Sequence, residues 1–288
     1  MNASRSEPQY LYHYTSIETL ALILHNKTLC FNSLAYVDDM QEAMTADLGN
    51  FGKYVYASCW TEDEKESIPL WNMYTPNMRG VRIRLRKYPF KVYHYKRDQH
   101  KLKEDIDTYI DLDGLYRENK LYIAGQQPIL CPITYTDDPE KLFPRVKTES
   151  YPGVAQDNLA APNLSSVKSC NVKYSTSCLG KVKGTQWKFQ EEWRYIITTS
   201  PLRIQDFENA STVEEKFHLQ QELICRLENR DIDPPQKRIF LDLADDAFEN
   251  LEIVLGPRMS EADKILTKAL VSQFCPQACC RDSVLMIR

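Results

Sequence analysis

The stretch "KYVYASCWTE", residues 53–62, constrains the fold most: Val55, Ala57 and Cys59 alternate with Tyr54, Tyr56 and Ser58. That period of two belongs to a β-strand, and the aromatic and β-branched residues in it suit a pleated surface. Similar strand signals recur in "LYHYT", "GVRIRLR", "LYIAG", "ILCPITY", "EEWRYIITT", "KRIFLDL", "LEIVLGP" and the closing "SVLMIR". Helical periodicity is interspersed among them. Ile17, Leu20, Ala21 and Leu24 repeat after Thr15, which with Glu18 reads as a capping box. Further helices are expected in "DDMQEAMTADL", in "SIPLWNMY" with Pro69 in its first turn, over 101–118, in "EEKFHLQQELICRLENR" and in "SEADKILTKALVSQF". Strands and helices mix without regular strand–helix–strand alternation. The expected class is therefore α+β, one domain over 1–288 with mainly antiparallel sheets. Residues 136–180, rich in Pro, Ser, Asn and Gly, read as a loop or insertion within it.

At 288 residues the chain can bury a large core. No apolar run reaches membrane length, and "MNASRSEPQY" lacks the apolar core of a signal peptide, so a cytoplasmic protein with no membrane partner is expected. Nine scattered cysteines, an odd number, argue against a complete disulfide framework. A net charge of −4 supplies no global field for nucleic acid. Two basic stretches stand out locally, residues 79–103 and "KVKGTQWK" at 181–188. They read as solvated strand faces, the first alternating with Val81, Ile83 and Leu85, or as a phosphate-binding surface.

Glycine-rich phosphate loops and the Gly-x-Ser-x-Gly elbow are missing from the sequence. "CPQACC" has no second pair at metal spacing, and "DLDGLYREN" lacks the ligands of a calcium loop. Asp38, Asp39 and Glu42 are the one tempting acidic group, and they read as loop and helix N-terminal acids. No metal is expected.

Three stretches place polar groups on otherwise apolar elements. In "YHYTS", His13 and Thr15 share one side of a strand that runs into a helix N-terminus. They read as a core histidine and a helix cap, or as a site. In "PLWNMY", Trp71 and Tyr74 lie three apart on one helical face, either as core or as a stacking pair beside a cleft. In "WKFQEEWRYI", Glu192 and Arg194 share one strand face, and Glu191 and Trp193 the other. A carboxylate there is expensive to bury unless paired. Arg194 is its candidate partner. Alternatively, the carboxylate is poised to stabilise a developing cationic sugar.

Taken in order, "LYHYTSIETLALILHNKTLCFNSL", "VYASCWTE", "PLWNMY", "GVRI", "FQEEWRYI" and "LEIVLGP" resemble a bacterial family, domain-of-unknown-function family 2971. His-x-Thr, the capped helix and "CFNS" are more distantly similar to the opening of DarT-like ADP-ribosyltransferases. That resemblance implies an ADP-ribosyltransferase-like split β-core surrounded by helices, with NAD as substrate in a cleft between two small sheets. It further implies that His13 contacts the NAD ribose with help from Thr15, and that Glu192 bonds the nicotinamide ribose and stabilises the oxocarbenium. Glu191 stands as an alternative to Glu192. Tyr74 or Trp71 would pack on nicotinamide, and Arg194 or Arg82 would hold pyrophosphate oxygens or orient Glu192. The implied activity is NAD-dependent ADP-ribosyl transfer or NAD glycohydrolysis by a toxin or phage-defence effector. The acceptor, whether protein, nucleic acid or water, is left open. Two other classes stand beside it: a non-catalytic module that senses a nucleotide or partner, and a metal-dependent nuclease.

Overall fold

A computed structural model of the chain describes residues 8–150, 171–229 and 236–287. Its centre is a nine-stranded mixed sheet. In chain order the strands are β1 (Tyr10–Thr15), β2 (Thr28–Ser33), β3 (Val55–Thr61), β4 (Val81–Arg86), β5 (Leu121–Pro132), β6 (Glu192–Arg203), β7 (Arg238–Asp242), β8 (Glu252–Leu255) and β9 (Cys279–Asp282). The main helices are α1 (Ile17–Asn26), α2 (Ile68–Tyr74), α3 (Val213–Glu228) and α4 (Glu261–Phe274). The α+β class read from the sequence is the class observed. Among the described residues no helix is long and apolar enough to cross a membrane.

Pairing around β3 sets up everything that follows. Along one edge β3 pairs with β6 from Glu192↔Thr61 to Thr198↔Val55, and β6 continues to β5. On its other edge β3 is shared. β2 meets it at Asn32↔Ala57 and Ser33↔Tyr56, and β1 meets it at Tyr12↔Thr61. β1 and β2, joined by α1, therefore run away from β3 in different directions. Ser58, Cys59 and Trp60 are left at the crotch of the fork. β1 leads on to β4, β8 and β9, and β2 leads to β7.

The two faces of the sheet carry different cores. Trp193, Tyr195 and Ile197 of β6 join Trp60, Tyr56, Leu11, Ile83 and the inner faces of α1 and α4 in the main cluster. Ile196 on the opposite face packs with Val55, Ala57, Leu34, Phe51 and Leu179. A third cluster holds Tyr14, Leu70, Trp71 and Val254. The alternation read in "KYVYASCWTE" is this two-sided burial.

Several local expectations are corrected. Ser16, not Thr15, caps α1: its hydroxyl accepts from Thr19 N, and Thr15 stays in the strand. Residues 38–48 fold into turns rather than a helix, because the Asp39 carboxylate accepts from Gln41 N and the Thr45 hydroxyl accepts from Leu48 N. Such side-chain bonds compete with helical ones. Within 101–118 only Leu112–Arg117 is α-helical, capped by Asp111. "LYIAG" and "ILCPITY" merge into one long irregular strand, β5. The closing strand is "CCRD", not "SVLMIR", since β8 finds its parallel partner there. The insertion expected at 136–180 contains a strand pair, Lys147–Ser150 with Asn171–Tyr174, and its residues 151–170 lie outside the described residues. The cysteines among the described residues are free.

The basic stretch at 79–103 is partly neutralised in place. Arg79 pairs with Asp263, Arg84 with Glu252, Arg86 with Asp246 and Lys96 with Asp105.

Candidate functional site

Because β1 and β2 separate along β3, the sheet opens into a cavity of about 550 Å³. That volume suits a small-molecule ligand. Groups from both faces of the sheet reach it: His13 and Trp60 from the main-core side, Cys59, Glu192 and Arg194 from the other. Tyr74, Thr15 and Lys183 complete the inner wall. A smaller recess of about 50 Å³ adjoins it behind His13, Tyr74, Gln190 and Glu192.

His13 sits in the crotch. Its Nδ1 lies 2.8 Å from the Cys59 carbonyl oxygen, and its ring lies 5.0 Å from the Trp60 ring. A carbonyl can only accept, so Nδ1 carries the proton and Nε2 is left as an acceptor. Burial lowers the His13 pKa, and the bond to Cys59 opposes that shift without cancelling it. The imidazole is thus neutral at physiological pH.

Glu192 is positioned by the turn before β6. Thr185–Gln190 form a 3-10 helix, and Glu191 then adopts φ 42° and ψ 49°, which redirects the chain into the strand. Glu191 is exposed and Glu192 is buried at 5% exposure, so Glu192 is the carboxylate that faces the cavity. The phenol of Tyr135 accepts from Glu192 N at 2.9 Å, pinning the start of β6.

The Glu192 carboxylate belongs to a buried charge cluster. Arg194 Nε donates to Oε1 at 2.6 Å, and Lys183 Nζ donates to Oε2 at 2.7 Å. The other end of Arg194 forks onto Glu42, with Nη2 donating to Oε1 at 3.0 Å and Nη1 to Oε2. Nη1 also donates to the Gly180 carbonyl. Lys183 reaches Glu42 at 3.3 Å and donates to Gln190 Oε1 at 2.8 Å. Gln190 Nε2 in turn donates to the Tyr74 hydroxyl at 2.6 Å. Two acids and two bases cancel, which is the condition for burying them together. Burial pushes the Glu192 carboxyl up, but Arg194 and Lys183 outweigh it and hold the group at about 2. Burial also raises the Cys59 thiol and the Tyr74 phenol, so both stay protonated.

The structure brings together His13, Thr15, Tyr74, Glu192 and Arg194 from the sequence reading. It does not bring Trp71 or Arg82 to the cavity. Trp71 is fully buried, edge-on to Tyr14, with its Nε1 donating to Glu66. Arg82 is 1% exposed, lies over the Tyr12 ring at 4.7 Å and donates to the Glu64 carbonyl. Arg194 is saturated by Glu192, Glu42 and Gly180, so its task is to orient Glu192.

Lys183, Gln190 and the pairing role of Glu42 were not read from the sequence. Lys183 lies in the basic stretch 181–188, and Glu42 in the acidic group with Asp38 and Asp39. Those three acids take separate tasks: Glu42 binds Arg194, Asp39 caps a turn, and Asp38 is exposed at the cavity rim. Among the described residues no group of three His, Cys, Asp or Glu could hold a metal.

Comparison with protein-family models, with curated proteins and with solved structures found no match to this chain.

Proposed function

We propose that the protein cleaves the nicotinamide–ribose bond of NAD, as an ADP-ribosyltransferase or NAD glycohydrolase. The observation that carries this reading is one ionised, buried carboxylate and one neutral imidazole with a free acceptor nitrogen lining a single ligand-sized cavity. The meeting of His13 on the first strand and Glu192 on a late one at a fork in the sheet supports the same reading.

In this reading His13 Nε2 accepts a hydrogen bond from a ribose hydroxyl, and Thr15 closes that end. Tyr74 packs beside the nicotinamide ring. The C1′–N bond breaks with its electron pair leaving on nicotinamide, and positive charge builds on the ribose. A carboxylate has room for about four acceptor contacts. Glu192 retains capacity beyond its bonds to Arg194 and Lys183, and it faces the developing oxocarbenium. Preorganised charge of this kind acts most strongly in a site closed to water. The acceptor then attacks C1′ and loses its proton. Water gives hydrolysis, and another nucleophile gives transfer.

The test is nicotinamide release from NAD by the purified protein, Glu192→Gln and His13→Ala. Release abolished by Glu192→Gln in a folded protein supports the reading. No release from the wild type, alone or with protein and DNA acceptors, sinks it. A second reading, a nucleotide-sensing module without catalysis, is favoured by the ion pairs on both Glu192 oxygens. It predicts nucleotide binding that survives Glu192→Gln, with no nicotinamide released.

A further inference from the structure

Of the charges at the cavity, Arg238 and Asp38 stand outside the paired group. Glu42, Glu192, Lys183 and Arg194 neutralise one another at its floor. His13 is uncharged and Arg82 lies outside. Arg238, on β7, lines the same cavity, is exposed, and its guanidinium forms no hydrogen bond or ion pair with any described residue. Asp38 is the opposing charge at the rim, and it is not paired with Arg238.

Arg238 has aromatic company. Phe240, two residues along the strand, shares its face, and Tyr36 lines the adjoining wall. Both are large and exposed, at 56% and 41%. The strand is held firmly at this end: Tyr56 donates its hydroxyl to the Gln236 carbonyl at 2.6 Å, and Ser33 N donates to the Lys237 carbonyl at 3.1 Å. Register places Arg238 opposite Asn32 and Ala57, and through Ala57 opposite Ile196 of β6. Three strand spacings, about 14 Å in all, therefore separate Arg238 from Ile196, and Glu192 lies four residues along β6 from there, about 13 Å farther in the perpendicular direction. A dinucleotide lying across β2 and β3 with its glycosidic bond at Glu192 directs its phosphates toward β7.

We propose that Arg238 is the phosphate anchor of this cavity and that Phe240 and Tyr36 flank the ring of the nucleotide's distal end. The proposal rests on the NAD reading for the identity of the nucleotide. It takes the pyrophosphate role from Arg194, whose donors are committed to Glu192, Glu42 and Gly180, and from Arg82, which lies outside the cavity. A guanidinium suits a phosphate because it offers paired donors in one plane.

Calorimetric titration with ADP-ribose and with adenosine tests it, using the wild type, Arg238→Gln, Arg238→Lys and Phe240→Ala. Arg238 is exposed and paired with no described residue, so its variants are expected to melt with the wild type. ADP-ribose affinity should fall about tenfold or more in Arg238→Gln and recover partly in Arg238→Lys, while adenosine binding is unchanged. Phe240→Ala should weaken both ligands. Equal ADP-ribose affinity in wild type and Arg238→Gln overturns the proposal, as does a wild type that binds no ADP-ribose. Nicotinamide release, measured separately, decides the NAD reading. Binding through Arg238 without release keeps the anchor and removes the chemistry. Release with an unchanged KM in Arg238→Gln does the reverse.

Discussion

Arg194 is the residue on which the buried charges depend most, since it holds Glu192 through Nε and forks onto Glu42 with its other end, while Lys183 bridges the same two acids from a single ammonium. Arg194→Met leaves two acids facing one lysine in a dry environment. Breaking such a pair costs about 3–5 kcal/mol. Denaturant unfolding should show a loss of that order, far above that of the exposed pair Arg86–Asp246. The pH dependence follows from Glu192. In the folded chain it holds its charge down to about 2, whereas its ordinary value is 4.5. The unfolded chain therefore binds the proton first as pH falls. The stabilisation is complete above about pH 4.5 and disappears toward pH 2, an effect of about 3 kcal/mol. Glu192→Gln should flatten the stability profile in that window. His13 acts in the same direction from higher up. Burial holds its pKa below 6.5, so acidification below about pH 6.5 favours the unfolded chain, and His13→Ala should remove that part of the slope.

Among the elements, β1 and β4 meet at a glycine. Gly80 precedes β4, and a methyl group there would lie 2.2 Å from the Thr15 carbonyl and 2.7 Å from Thr75 Cβ. The end of β1 that carries His13 and Thr15 is thus packed directly against it. Gly80→Ala should cost about 1–3 kcal/mol and reduce ligand affinity together, by shifting β1 against β4. Unchanged unfolding of this variant contradicts the packing described. Helix α3 is the opposite case: it has no buried residue, and Val213 and Phe217 in its first two turns are exposed. Only its C-terminal turns are tied, by Lys53 to the Asn229 carbonyl and Tyr54 to the Arg226 carbonyl. Amide exchange should be fastest in its first two turns and slowest in β3 and β6.

For the whole molecule, the α+β class and most strands were legible because alternation and helical spacing are local signals. Residues 38–48 were not legible as turns, because their apolar spacing is also that of a helix, and the bonds that replace it, Asp39 accepting from Gln41 N and Thr45 from Leu48 N, belong to the folded geometry alone. The site was half legible. His13 and Glu192 stood out as polar groups within apolar strands. Trp71 and Arg82 looked equivalent to Tyr74 and Arg194, and only the third dimension separates the members that line the cavity from those that do not. Lys183 carried no signal beyond its basic neighbours, since Glu42 comes from a distant segment and Glu192, nine residues on, is reached only once the intervening turn has formed. The fork itself is a pairing property: β3 shares one edge between two strands, which no single stretch encodes. The central claim is that this fork holds NAD with its glycosidic bond at Glu192. Its most direct test is nicotinamide release by the wild type beside Glu192→Gln, with ADP-ribose binding measured on both. The account predicts release by the wild type alone and binding by both proteins. Equal release by the two, or none from a wild type that is folded and supplied with acceptors, contradicts it.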